Sequence, residues 1–173
     1  MRSQREENLL GRVREGEKVV ARDSSHLKQI IKERISEFGY DCDLNDIDVS
    51  QITDMSMLFY NSRFDGDISE WDVSNVKSMR QMFDNSRFNG DISKWNVSNV
   101  TNMNYMFAFS EFNDDISDWD VSNVKTMSRM FDHSPFSGDI STWNICSVWD
   151  KYHILSSSLL ENKDPYKYFN IYK

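Results

Sequence analysis

Between residues 47 and 142 the apolar positions return every 24 residues, and the polar residues between them return almost as faithfully. Counted from Trp71, the phrase WDVSNVKSMRQMFDNSRFNGDISK recurs as WNVSNVTNMNYMFAFSEFNDDISD from Trp95 and as WDVSNVKTMSRMFDHSPFSGDIST from Trp119. One column holds Ile47, Trp71, Trp95, Trp119 and Trp143; two residues on stand Val49, Val73, Val97, Val121 and Ile145. Apolar residues at both ends of the W-x-V step, with Ile68, Ile92, Ile116 or Ile140 three places earlier, predict a short strand per copy. Stacked in register, such strands make a narrow parallel sheet with identical residues about 4.8 Å apart. The run S-N-V-x-x-M-x-x-M-F that follows puts Val76, Met79, Met82 and Phe83 at spacings of three, three and one, which predicts a short helix or 3₁₀ segment facing inward. Ser74, Ser98 and Ser122 stand at its cap position. A polar turn comes next, then an inward Phe at 64, 88, 112 and 136, then glycines at 66, 90 and 138 that suit a positive φ, with Asp114 in the third copy.

A period of this length marks units that cannot bury their apolar side alone and must stack on neighbours. The fold class expected is therefore an α/β repeat: a right-handed, leucine-rich-repeat-like solenoid of about five 24-residue coils, with a narrow parallel sheet, short helices on the other face and an N-terminal helical cap. Residues 1–23 form an arm and 24–46 the cap; the repeats are 47–70, 71–94, 95–118 and 119–142; a degenerate fifth coil and C-terminal cap fill 143–173. In the cap, Leu27, Ile30, Ile31, Ile35 and Phe38 share one side of a helix that starts at Ser24 or Ser25 and stops at Gly39. The fifth copy keeps Trp143, Ile145 and Val148 but has Lys151 in the Met column. Beyond it, Tyr166, Tyr168, Phe169, Ile171 and Tyr172 are read as a fold-over on the last coil, or as a surface for self-association.

The Met, Phe and Trp columns are read as core rather than as a cofactor or cage site. Asn75, Asn99 and Asn123 are expected to bond the turn backbone of adjacent coils, and the column Asp67, Asp91, Asp115, Asp139 to accept from backbone donors in its own turn. The pattern W-D-V-S-N-V through F-N-G-D-I-S, over about residues 24 to 150, resembles the bacterial surface-protein repeats of the BspA-like type, a leucine-rich-repeat relative known as domain of unknown function 285. That resemblance implies a right-handed solenoid with a strand face and a helical face, used for protein binding, in proteins often secreted or lipoprotein-anchored.

The chain's net charge of −8 is concentrated on the repeats: residues 47–142 carry 7 basic and 15 acidic groups, whereas the segments on either side almost balance. Averaged over the repeats, this argues against direct nucleic-acid binding, which needs clustered Lys and Arg. No 18-residue apolar run is present, so no membrane insertion is expected, and MRSQREENLLGRVREGEKVV lacks the apolar centre of a signal peptide. A cytoplasmic location is the expectation, with the cell surface or secretion as the alternative if a leader was removed.

Catalytic and cofactor chemistry find no motif: GxSxG, HExxH, CxxC and a phosphate loop are absent, and His26, His133 and His153 share no ligand spacing. Cys42 and Cys146 are read as free, partly buried thiols. Asp41, Asp43, Asn45, Asp46 and Asp48 lack the Gly and late Glu of a calcium loop and read as a turn. The chain is thus expected to be no enzyme and to need no cofactor or metal. Binding is assigned to columns that vary between copies: Asp48, Glu70, Asp72, Lys94, Asn96, Asp118, Asp120, Thr142 and Asn144. This acidic strip suits a protein partner with a basic surface, either as a general interaction module or as a small intracellular inhibitor, phage-borne or of the immunity type, that blocks a basic, nucleic-acid-binding site of an enzyme.

Overall fold

The computed structural model describes residues 18–150, 153–155 and 158. Regular elements are few: β1 (Val19–Val20), α1 (Ser24–Phe38) and β2 (Ile47–Asp48), with β1 and β2 paired in parallel. Nearly everything else is turn, yet it is regularly bonded turn. Met79, Gln81, Phe83 and Asn85 donate their backbone N–H groups to the carbonyls of Asn102, Asn104, Met106 and Ala108 at 2.8 to 2.9 Å, and the same four bonds link the copy before to this one. In the opposite sense, Lys77 donates to Thr53, Thr101 to Lys77 and Lys125 to Thr101. Parallel bridges run Asp54 to Ser78, Asn102, Thr126 and Asp150, one per copy.

That ladder lies elsewhere than the W-x-V step. Only the first copy forms a strand at this step, β2, and it pairs with β1 rather than with the next copy; at Trp71–Val73 and the later equivalents there is none, and the backbone bonds stay inside one copy, Trp71 to Ile68 and Val76 to Val73. Aromatic spacings give the reason. Equivalent rings are parallel within 1 to 9°, so the distance between their centroids measures the displacement between copies at that column. It is 5.5 to 5.9 Å at Phe59, Phe83, Phe107 and Phe131, but 6.2 to 6.4 Å at Phe64, Phe88, Phe112 and Phe136, and 6.4 to 6.5 Å for the Trp71–Trp95 and Trp119–Trp143 pairs. Backbone ladders form where copies approach most closely, their strands about 4.8 Å apart, and the column with the nearest rings is the one whose N–H groups enter the ladder. On the Trp side the copies are too far apart for one, and each indole N–H reaches instead to the carbonyl 27 residues back, Trp95 to Ile68 at 3.2 Å.

The segment M-x-x-M-F is not a helix either. Met82 donates to Met79 and Ser86 to Phe83, closing successive four-residue turns whose third residues, Gln81 and Asn85, have φ of 55°. A positive φ at the third position only is the mark of a type II turn. Each copy repeats the device, placing Met57, Asn61, Tyr105, Phe109, Arg129, His133 and His153 in the left-handed region as well. Helical spacing of the Met and Phe columns arises here because a turn of this kind also returns a side chain to the same face every three residues. The glycines at 66, 90 and 138 do not take positive φ; they serve space. A Cβ on Gly66 would lie 2.0 Å from the Cys42 carbonyl oxygen, and one on Gly138 2.8 Å from the Phe136 ring.

The interior is built from the apolar columns: Trp71, Val73, Val76, Met79, Met82, Phe83, Phe88 and Ile92, with their equivalents, are all buried. α1 closes one end through Leu27, Ile30 and Ile31, while Phe38 stays exposed under the Arg34 guanidinium. Its N-cap is Asp23, one residue before the expected serines; Asp23 accepts from the His26 N–H, and the Ser24 hydroxyl donates to the Asp54 carbonyl. The expected arm ends earlier than residue 23, because β1 pairs with β2 and Ala21 is fully buried. Two adjacent valines carry no alternation from which a strand could be read. The rest of the arm, Lys151 and the aromatic tail from Tyr166 lie outside the described residues.

Candidate functional site

The site expected from the variable columns divides into two by local geometry. Asp48, Asp72, Asn96, Asp120 and Asn144 each accept, through Oδ1, the N–H of the residue two places on: Ser50, Ser74, Ser98, Ser122 and Cys146, at 2.9 to 3.2 Å. These side chains hold the S-N-V turn, so half of the strip is scaffold as well as surface. Asp48 is only partly exposed, since β1 runs beside it; the other four are exposed. Glu70, Lys94, Asp118 and Thr142 lie in the adjacent column and are all exposed, with the Thr142 hydroxyl reaching the Ser117 carbonyl.

The second acidic column uses the same D-x-S device. Asp67, Asp91, Asp115 and Asp139 accept from the N–H groups of Ser69, Ser93, Ser117 and Ser141 at 2.9 Å each, as their pattern predicts. The bonds favour the charged form. The Ser50 N–H holds the Asp48 carboxyl below the usual range, the N–H groups of Ser69 and Ser117 do so for Asp67 and Asp115, and the hydroxyls of Ser93 and Ser122 lead for Asp91 and Asp120. Asn75, Asn99 and Asn123 donate to the carbonyls of Ser50, Ser74 and Ser98 in the copy before, at 2.8 Å.

What sequence averaging missed is that charge is sorted around each copy. Segments 47–51, 65–75, 89–99, 113–123 and 137–142 contain eleven of the fifteen carboxylates (Asp48, Asp65, Asp67, Glu70, Asp72, Asp91, Asp114, Asp115, Asp118, Asp120 and Asp139) and a single cation, Lys94. Segments 52–64, 76–88, 100–112 and 124–136 contain the other six cations: Arg63, Lys77, Arg80, Arg87, Lys125 and Arg129. Of their four carboxylates Asp84 and Asp132 are buried. Asp84 is bonded by the Gln81 amide, and desolvation raises its pKa; Asp132 takes the Arg129 guanidinium and the His133 ring. One side of the stack is therefore strongly acidic and the other weakly cationic. The cationic side also carries the exposed rings of Tyr60 and Phe109, the latter stacked on His133 at 4.7 Å.

Among the described residues no group of three His, Cys, Asp or Glu could hold a metal ion, and no helix is long and apolar enough to cross a membrane. In the acidic run before the repeats, Asp43 accepts from the Asn45 N–H and Asp46 pairs with Arg34, the geometry of a turn. His26 lies in α1, and His133 and His153 take left-handed turn positions in the fourth and fifth copies. Cys42 and Cys146 are both free; Cys146 is exposed rather than partly buried, and burial raises the Cys42 pKa.

These features define a repeat protein whose 24-residue copies are bonded to one another in parallel. The family described as Mycoplasma protein of unknown function, DUF285, matches residues 26–111 and again 84–169, and the chain belongs to that family. No curated protein and no solved structure matches the chain.

Proposed function

We propose that the chain is a non-catalytic protein-interaction module, a right-handed leucine-rich-repeat-like solenoid that binds a basic protein surface through its acidic side. The observation that carries this reading is the sorting of charge, with eleven carboxylates and one lysine on one side of the copies. Asx bonds fix seven of them, and at Asp48, Asp67, Asp91, Asp115 and Asp120 the carboxyl pKa is depressed, so these five positions stay charged well below neutral pH. A rigid array of one sign speeds encounter with the opposite sign and excludes like-charged partners. The inhibitor reading is a special case of the same surface, favoured by the one column that is acidic in every repeat, Asp67, Asp91, Asp115 and Asp139, which presents a row of anions to a site built for a phosphate chain.

The test uses the variant Asp72→Asn, Asp118→Asn, Asp120→Asn. Asn96 and Asn144 show that asparagine keeps the turn bond, so charge is lost without the cap. Captured partners should be basic, should bind the variant about tenfold more weakly, at about 0.5 kcal/mol per exposed charge, and should be released as salt rises. Displacement by competing DNA would mark the partner as a nucleic-acid enzyme. An unchanged affinity with an unchanged Tm would move the binding surface off the acidic side.

A further inference from the structure

Between α1 and the first turn column lies a recess of about 390 Å³ whose lining runs against the charge of the whole molecule. Lys28 and Lys32 come from the helix and Arg63 from the first copy, Tyr40 and Tyr60 contribute half-exposed rings, and no carboxylate is among the lining residues. Three cations with no carboxylate in the lining make this the most basic part of the cationic side, in a chain of net charge −8. The floor is apolar, from Leu58 and Phe59, and Asn61 and Ser62 add polar groups. The volume is that of a small-molecule site.

We propose that this recess binds a phosphate group carried on a flat ring, the chemistry of a nucleotide. A guanidinium fork and two ammonium groups match the several oxygens and the double charge of a phosphate better than the single charge of a carboxylate. The two tyrosines supply the faces on which a base stacks, and stacking is indifferent to which base it is. Both halves are needed: a cation cluster alone would take any anion, and two tyrosines alone any apolar ring.

Two sources can supply that chemistry, a free nucleotide and the 5′ end of a single strand, and Arg87 is the residue that tells them apart in a binding test. A second recess of about 230 Å³ shares Asn61, Ser62 and Arg63 with the first and continues along the copies to Arg87, Phe109 and Glu111, where Glu111 lies 3.9 Å from the Arg87 guanidinium and a strand phosphate would have to displace it. A strand whose terminal phosphate sat at Arg63 would run on to Arg87; a mononucleotide would not reach it. The site is separate from the acidic side and does not depend on the reading given for it.

The full chain is titrated with fluorescent AMP, with inorganic phosphate and with fluorescein-labelled, 5′-phosphorylated dT6. Saturable binding of AMP or dT6 that weakens with salt and exceeds that of phosphate alone is expected. Arg63→Ala and Lys32→Ala should each lower affinity about tenfold and Tyr60→Leu about fivefold. Lys32 is exposed on a helix that packs through Leu27, Ile30 and Ile31, so its variant keeps the fold, as unchanged circular dichroism would show. Sensitivity of dT6 but not AMP to Arg87→Ala assigns the site to a strand end; insensitivity of both assigns it to the free nucleotide. Absence of binding by both probes, equal binding to an Arg63→Ala, Lys32→Ala double variant, or preference for a Glu-rich peptide overturns the proposal.

Discussion

Replacing Met57 with Ile tests whether the turn conformation, rather than the side chains on it, limits the stability of the stack. Met57 has φ of 57°, is 40% exposed, and makes no side-chain hydrogen bond, so the exchange changes branching at Cβ and little else. Holding an L-residue in the left-handed region costs about 1 to 2 kcal/mol. Nine non-glycine residues do so among those described, a total cost of about 9 to 18 kcal/mol, as large as the whole stability of an ordinary domain. The conformation persists because it aims N–H groups along the stack: Met57 donates to Arg80 at 2.9 Å, and Leu58 to Met55 at 3.2 Å closes the turn. A β-branched residue fits the left-handed region worst, raising the local cost toward about 3 kcal/mol.

Met57→Ile should therefore lose about 1 to 2 kcal/mol, read as a lower urea midpoint at unchanged m, or a fall of about 2 to 8 °C in Tm. Met57→Asn should stay within about 0.5 kcal/mol of the parent, since asparagine tolerates this region and Asn61 and Asn85 occupy it already. Equal stability of the Ile variant would refute the reasoning. So would an equal loss in both variants, which would place the effect in the methionine side chain.

Trp95→Phe should cost about 1 to 2 kcal/mol in urea unfolding, because the buried Ile68 carbonyl loses the indole N–H and keeps only the Trp71 N–H, and the smaller ring underfills its column. Gly66→Ala should be worse than Gly90→Ala, at about 1 to 3 kcal/mol, since the new Cβ on Gly90 would meet the Phe88 ring at 3.0 Å and backbone, the Gly66 carbonyl oxygen, only at 3.4 Å. Asp84→Ala should stabilise the chain at neutral pH, as the fully buried Ala108 occupies the same column. The folded pKa of Asp84 is raised, so its contribution is best below the unfolded value near 3.8 and worsens as pH rises through the folded value; the variant's advantage should thus close on acidification, and an advantage independent of pH would count against desolvation as its source. Asp48, Asp67, Asp91 and Asp120 have depressed values and act in the other direction: their stability is present above about pH 4 and is lost as pH falls, so Tm should drop below that point and much less in a variant with Asn at all four.

The columns of the core were legible because burial admits few residue types: the four repeats keep Trp or Ile, Val or Ile, Met or Leu, Phe and Ile where the structure buries them. The Asn75 and Asp67 columns were legible too, since D-x-S and S-N-V carry local bonding patterns of their own. Backbone conformation was not. A three-residue recurrence of apolar side chains is common to a helix and to successive type II turns, and the residues at the left-handed positions, Gln81, Tyr105 and Arg129 among them, are not those such turns prefer. The W-x-V alternation marked inward and outward faces correctly, but facing does not determine whether neighbours are near enough to bond. Charge sorting escaped a net count because it follows position within the copy rather than position along the chain.

The unequal spacing of the copies connects the scaffold to the placement of charge. Backbone ladders tie the copies over the Met and Phe turns, where equivalent rings stand 5.5 to 5.9 Å apart; on the opposite side rings are 6.2 to 6.5 Å apart, and side chains, Asn75 to Ser50 or Trp95 to Ile68, span the gap. Carboxylates repeated once per copy repel along their column, and that repulsion falls as separation and access to water increase. The wide side is where a column such as Asp67, Asp91, Asp115, Asp139 costs least. The narrow side has Asp84 and Asp132 two copies apart, with Ala108 between them, and gives each a partner of its own, Gln81 for one and Arg129 with His133 for the other. The wedge of the copies thus decides which side can be acidic, and the acidic side is left with evenly spaced, fixed charges facing outward.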